Sequence, residues 1–133
     1  MRKRILIVED NAETASIIRT ILEHLDYDSV TATNGEDGVA MAASKMPDLI
    51  IMDMSLPKMD GLEATALIRK DPNLESTPIL ACTARTKPGD RDQCLRSGCT
   101  DYLAKPFTLA QLAELVGNLL KGSGATVKTG DSF

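Results

Sequence analysis

Glu9 and Asp10 stand directly after the apolar block Ile5–Val8, Asp53 after Leu49–Met52, Thr83 after Ile79–Cys82, and Lys105-Pro106 after Asp101–Ala104. Three acids, a hydroxyl and an ammonium therefore each close a short apolar stretch. A charge at the end of a buried segment is costly unless something answers it. Two carboxylates about 4 Å apart repel by about 4 kcal/mol at an effective dielectric near 20, and a third acid adds to that. If these residues meet, they call for a cation. A few hard oxygens with room for water suit Mg2+, which keeps several waters and takes only one or two protein carboxylates. A calcium cage wants more oxygens, and no D-x-[DN]-x-[DN]-G loop is present. The single histidine, His24, sits among helix-patterned residues and reads as a surface or packing residue, not a transition-metal ligand.

With Mg2+ in place, Asp53 has the chemistry of a nucleophile toward a phosphoryl group. The metal would neutralise the transferring oxygens, Lys105 would pair with one of them and Thr83 would hydrogen-bond another. Taken singly, each residue has a plainer use: acids and threonines after strands cap helices, and a turn lysine is simply solvated. The convergence of all five on one rim is what favours the chemical reading.

That convergence depends on the elements. Strands are expected at Ile5–Val8, Ser29–Thr33, Leu49–Met52, Ile79–Cys82 and Asp101–Ala104. Between the first two, Ile17, Ile18, Ile21, Leu22 and Leu25 recur at helical spacing and predict an amphipathic helix facing a core. Gly35–Lys45 and Leu62–Arg69 predict further helices, the latter capped by Asp60, with Pro57 setting the turn before it and Gly61 letting the chain enter. Asp90–Ser97 has only Cys94 and Leu95 to bury, with Gly98 placed to cap its end. The last helix is the clearest, with Leu109, Leu112, Leu115, Val116, Leu119 and Leu120 in one stripe after the N-cap Thr108. Five strands alternating with helices predict an α/β fold, a doubly wound parallel sheet covered on both faces. In such a sheet all strand C-termini emerge on one edge, and ligands bind there.

The 133 residues fit one domain, expected over residues 1–121, followed by a flexible tail or linker stub at 122–133 where Gly, Ser and Thr replace the periodic pattern. The net charge of -4, with only Arg2-Lys3-Arg4 locally basic, argues against nucleic acid or anionic membrane as a partner. Three cysteines, Cys82, Cys94 and Cys99, form no C-x-x-C and no even framework, so neither zinc nor disulfides are indicated and a cytoplasmic protein is expected. No apolar run approaches a membrane span.

The segments "ILIVEDN", "DLIIMDMSLPKMDG", "ILACTA" and "DYLAKPF", in that order and spacing, resemble the receiver domain of two-component response regulators from Arg4 to about Leu120. The resemblance implies a CheY-like, flavodoxin-like fold with sheet order 2-1-3-4-5. It implies Asp53 as phosphoacceptor, with Glu9, Asp10, Asp53 and the backbone carbonyl of Ser55 holding Mg2+. Lys105 would contact the phosphoryl group, the backbone at Ala84 would lie on its phosphate side, and the Lys105-Pro106 bond would be cis. Thr83 and Tyr102 would form the switch, the threonine drawn to the phosphoryl group and the tyrosine turning inward, against the plainer reading of Tyr102 as a half-buried strand residue. Phosphoryl lifetime would depend on Ser55 and Arg85. The implied partners are a sensor histidine kinase or a phosphotransfer protein, with an unidentified downstream protein target. The chain would be a signal carrier that catalyses only its own phosphorylation and dephosphorylation, either a single-domain regulator or a receiver from a larger regulator or hybrid kinase. A monomer is favoured, with phosphorylation-linked dimers as the alternative.

Two other classes share parts of this pattern. A phosphatase of the haloacid dehalogenase type also uses a strand-end aspartate with Mg2+, but wants a second Asp where Ser55 stands. A flavodoxin-like cofactor binder would carry a Ser/Thr/Gly-rich phosphate loop after its first strand, where Glu9-Asp10 would repel phosphate. No G-x-G-x-x-G or G-x-x-x-x-G-K-[ST] occurs.

Overall fold

The computed structural model describes residues 2–84 and 88–125. Arg85 and residues 126–133 of the expected tail lie outside the described residues. Five parallel strands, β1 (Arg4–Val8), β2 (Asp28–Ala32), β3 (Leu49–Asp53), β4 (Ile79–Thr83) and β5 (Asp101–Ala104), form one sheet in the order β2-β1-β3-β4-β5. They alternate with α1 (Ala12–His24), α2 (Gly35–Lys45), α3 (Gly61–Arg69), α4 (Asp90–Ser97) and α5 (Leu109–Ala125). This is the expected doubly wound arrangement with the flavodoxin-like strand order.

The period-2 geometry of strands divides the core in two. Leu6, Val8, Ile50, Met52, Ile79 and Ala81 face one side, where Ala42 of α2, Ala64 and Ile68 of α3 and Cys94 of α4 close over them. Ile5, Ile7, Leu49, Ile51, Leu80, Cys82 and Leu103 face the other, under Ile18, Ile21 and Leu22 of α1 and Leu112 and Val116 of α5. The central strands β1 and β3 are apolar on both faces because both are covered, which is why they read as continuous hydrophobic runs.

Local signals set the helix starts. Asn11 Oδ1 accepts from Thr14 N at 2.9 Å, Asn34 Oδ1 from Asp37 N at 2.8 Å, and Asp60 Oδ1 from Glu63 N at 3.0 Å. Thr108 and Gln111 form a reciprocal capping box at 3.0 and 2.9 Å. Gly98 ends α4 with φ +118°, a conformation that suits glycine.

Three expectations are corrected. Ile17 is 59% exposed, because it lies about 100° around the helix from Ile18 at the margin of the stripe, and Ala15 takes the buried place instead. Leu109 is 57% exposed at the first turn of α5, before the helix reaches the sheet. The backbone of α5 stays helical through Ala125, past the end of its apolar stripe, since helix continuation does not require every turn to be amphipathic. A 3-10 turn at Pro72–Leu74, capped by Asp71, was not foreseen and buries Leu74.

Candidate functional site

Register places the site. Val8 pairs with Met52 and Ala32, Asp53 with Cys82, and Thr83 with Ala104, so Glu9, Asp53, Thr83 and Lys105 leave the sheet along the same C-terminal edge. The Glu9 N–H donates to the Ala32 carbonyl at 3.0 Å, the Met54 N–H to Cys82 at 3.1 Å, and the Lys105 N–H to Thr83 at 2.8 Å. The ladders thus continue one residue past the strands and fix the backbone under each functional side chain.

Carboxylate oxygens of Glu9, Asp10 and Asp53 all lie within 4.8 Å of one another. Glu9 and Asp53 are buried, at 3% and 4% exposure, while Asp10 is open to solvent. Lys105 Nζ donates to Glu9 Oε1 at 2.9 Å and stands 3.6 Å from Asp53 Oδ1. Backbone donors complete the acids: the Asn11 N–H reaches Glu9 Oε2 at 3.2 Å, and the Ser55 N–H reaches Asp53 Oδ1 at 3.0 Å.

Burial pushes the Glu9 carboxyl above its ordinary value of 4.5, Asp53 adds to the rise, and the bonds from Lys105 and Asn11 only partly counter it. For Lys105, burial acts downward, but the bond to Glu9 and the charges of Asp53 and Glu9 outweigh it and hold the ammonium above its ordinary pKa. Cys82, beside Asp53 in the sheet, is pushed up to about 12 by burial and stays a neutral thiol. Among the described residues, one lysine therefore answers three acids. The deficit, the mix of two buried acids with one exposed acid, and the all-oxygen donor set fit a hard divalent cation that retains water. Among the described residues no other cluster of three metal-ligating side chains has this geometry.

The remaining expected residues lie on β4, on β5 and in the segments that follow the strands. Thr83 is fully buried at the end of β4, and Ala84 follows it in an exposed position. Tyr102 is half-buried on β5 and packs against the core set that contains Cys94. Ser55 lies two residues past Asp53 at the rim, and the Lys105-Pro106 bond is cis. His24 is exposed at the end of α1, away from the acids.

Two participants escaped the sequence reading. Asn11 supplies both the α1 cap and a backbone donor to Glu9; a helix-capping residue type directly after an acidic pair was the available signal. Gly61 was read only as a helix entrance. A Cβ there would meet the Asp53 carbonyl oxygen and approach Met54 Cε at 2.7 Å and Met54 Cα at 2.8 Å, so α3 starts hard against the backbone that carries Asp53.

The sequence profile of the response regulator receiver domain matches residues 5–117. The polar-differentiation response regulator DivK of Brucella anthropi is 33% identical over 120 residues, spanning 90% of this chain and 98% of that protein. The receiver domain of the Pseudomonas aeruginosa sensor histidine kinase PA1611, solved with magnesium coordinated in its active-site cleft, is 38% identical. It superposes with a TM-score of 0.83 over 94% of this chain and 100% of that one. The signal receiver domain of a Syntrophus aciditrophicus signal transduction histidine kinase gives a TM-score of 0.85 at 33% identity, covering 98% and 99%. With the sheet order, the acidic rim and these matches agreeing, the chain belongs to the response regulator receiver domain family of two-component signalling.

Proposed function

We propose that this receiver takes a phosphoryl group from a phosphohistidine onto Asp53. The observation that carries the reading is the grouping of Glu9, Asp10 and Asp53 on one rim, with Lys105 3.6 Å from Asp53 Oδ1. A carboxylate oxygen of Asp53 attacks phosphorus; the new O–P bond forms as the P–N bond to the donor imidazole breaks. Mg2+, held by Glu9, Asp10, Asp53 and the Ser55 carbonyl, would neutralise charge on the transferring oxygens. Lys105 pairs with one phosphoryl oxygen, the Thr83 hydroxyl turns toward another, and the backbone at Ala84 borders the group. The Ser55 N–H holds the Asp53 carboxylate in place, and burial of Asp53 keeps bulk water from competing for it.

Phosphorylation then shifts a two-state equilibrium in which movement of Thr83 lets Tyr102 turn inward, altering the surface formed by α4, β5 and α5. That surface would bind a downstream protein. The donor is a sensor histidine kinase or phosphotransfer protein, the kind of partner receiver domains meet. The protein is a signal carrier whose own chemistry is limited to gaining and losing this group. The reading takes the protein as a cytoplasmic monomer, with dimers on phosphorylation as the alternative; its three cysteines are free, and no described helix is long and apolar enough to cross a membrane.

Intact-protein mass after incubation with acetyl phosphate tests the assignment. The expected result is one phosphoryl adduct that needs Mg2+, disappears in EDTA and is absent from Asp53→Asn. Normal uptake by Asp53→Asn from a phosphohistidine donor would overturn it.

A further inference from the structure

Both oxygens of Glu9 are already engaged: Oε2 by the Asn11 N–H at 3.2 Å and Oε1 by Lys105 Nζ at 2.9 Å. The two donors differ in freedom. The Asn11 N–H belongs to the backbone at the N-cap of α1, whose side chain is itself tied to Thr14, so it cannot withdraw without unseating the helix. Lys105 reaches Glu9 on a four-carbon stem, with its side chain 22% exposed and a second, longer ion pair to Asp53 Oδ1 at 3.6 Å. Its backbone is pinned by the bond to the Thr83 carbonyl, so only the ammonium has to move. A divalent cation seated among Glu9, Asp10 and Asp53 draws on the same small set of oxygens.

We propose that Lys105 and the divalent cation compete for Glu9, so that Lys105 sets the metal affinity of the rim and is released from Glu9 toward Asp53 when the cation binds. The proposal rests on the metal-assisted reading above and adds an order of events to it. Lys105 already bridges both acids, hydrogen-bonded to the one that is not phosphorylated at 2.9 Å and 3.6 Å from the one that is, and metal binding leaves it to the second. The coupling is reciprocal: whatever factor Lys105 takes from metal affinity, the metal takes from the Lys105–Glu9 pair. The arrangement also avoids leaving two buried acids without a cation, since one positive partner departs only as another arrives.

The test is Mg2+ binding by calorimetry, with no phosphodonor present. Lys105→Met is expected to tighten Mg2+ by about 10- to 100-fold, the range of ordinary site-to-site couplings. Simple repulsion between like charges would do the same, so the substitution is repeated in a Glu9→Gln background, where the charged pair is gone. Competition for Glu9 predicts that the effect there shrinks to a few-fold. Equal tightening in both backgrounds, or no tightening in the wild-type background, overturns the proposal. If Lys105→Met does not fold, the wild type decides: the side-chain 15N resonance of Lys105 should shift on Mg2+ addition with the same midpoint as the calorimetric titration, and an unmoved resonance refutes the release. Failure of the wild type to bind Mg2+ at all would instead sink the metal-assisted function itself.

Discussion

Replacing Gly61 by alanine adds one methyl group at the point where α3 presses on the Asp53 backbone. The added Cβ would lie 2.7 Å from Met54 Cε and 2.8 Å from Met54 Cα, besides meeting the Asp53 carbonyl oxygen. Met54 Cε is the end of a flexible side chain and can yield. The other two atoms are main chain, in a segment held by the Met54 N–H bond to Cys82 at 3.1 Å, and they cannot move without dragging Asp53. Overpacking of this kind costs about 1–3 kcal/mol, against a gain of about 0.4–1 kcal/mol from stiffening the unfolded chain. The net loss is about 1–2 kcal/mol, and for a domain of this size that lowers Tm by about 3–10 °C. Gly117 in α5 provides the control, since a Cβ there meets nothing within 4 Å. Gly117→Ala should raise stability by about 0.5–1 kcal/mol. Thermal unfolding followed by circular dichroism measures both, and Mg2+ titration should show weaker binding only for Gly61→Ala. A Gly61→Ala protein as stable as wild type, with unchanged Mg2+ affinity, would refute the claim that contact between α3 and the Asp53 backbone positions the site.

Arg69 should be a structural tie between α3 and the far end of α4. Its Nε donates to the Gly98 carbonyl at 2.9 Å, Nη1 to Leu74 at 2.7 Å, and Nη2 to Thr100 Oγ1 at 3.4 Å. Arg69→Met keeps the apolar stem but orphans these acceptors, at a cost of about 2–4 kcal/mol; urea unfolding within 0.5 kcal/mol of wild type, a margin typical of neutral surface changes, would dismiss the role. Glu9 gives a pH signature. Its folded pKa is raised, so without metal the folded state binds the proton more tightly than the unfolded chain does, and the Glu9 contribution to stability falls as pH rises upward from 4.5. Subtracting the Glu9→Gln profile isolates this contribution, and a difference that grows with pH would contradict it. Mg2+ affinity should weaken over the same window on acidification, because proton and cation compete for one carboxylate.

Most of the fold was legible because its signals are local or periodic. The four-residue apolar runs of β1 and β3 need no knowledge of their neighbours, and the caps at Asp60, Thr108 and Gly98 are side-chain chemistry readable three residues at a time. Ile17 and Leu109 were misplaced because a hydrophobic stripe has soft margins, and only packing decides which edge residue is covered. The Pro72–Leu74 turn escaped notice because a three-residue helix has no period to detect. The identities around the candidate centre were also legible, since residues that end parallel strands share an edge by topology alone. Their mutual arrangement was not. That Lys105 sits nearer to Glu9 than to Asp53, or that α3 leaves no room for a Cβ at Gly61, depends on tenths of an ångström set by the whole fold.

The arrangement of charge also bears on how the proposed switch would work. The strand residues beneath the rim are neutral: Val8 and Met52 are apolar, and the Cys82 thiol, pushed up to about 12, stays protonated at working pH. Among the described residues, Lys105 is the ammonium paired with these acids, so their balance rests on it and on whatever cation joins it. Phosphorylation of Asp53 would replace one negative charge by close to two in a place where exposure is 4%. The excess would not be met by solvent from below, and donors drawn in along the rim would have to meet it. Thr83 is the hydroxyl at the end of the next strand, and it is fully buried, so the proposed reorientation would empty a space inside the protein. A void in a close-packed interior is costly. Tyr102 stands on β5, the strand bonded to β4, half-buried and in contact with the core beneath α4, which makes it the large side chain placed to follow. On the proposed function, the sensitivity of the switch would come from the burial of Asp53 and Thr83: an acceptor open to solvent on every side would have its added charge screened by water, and the output face would not hear of it.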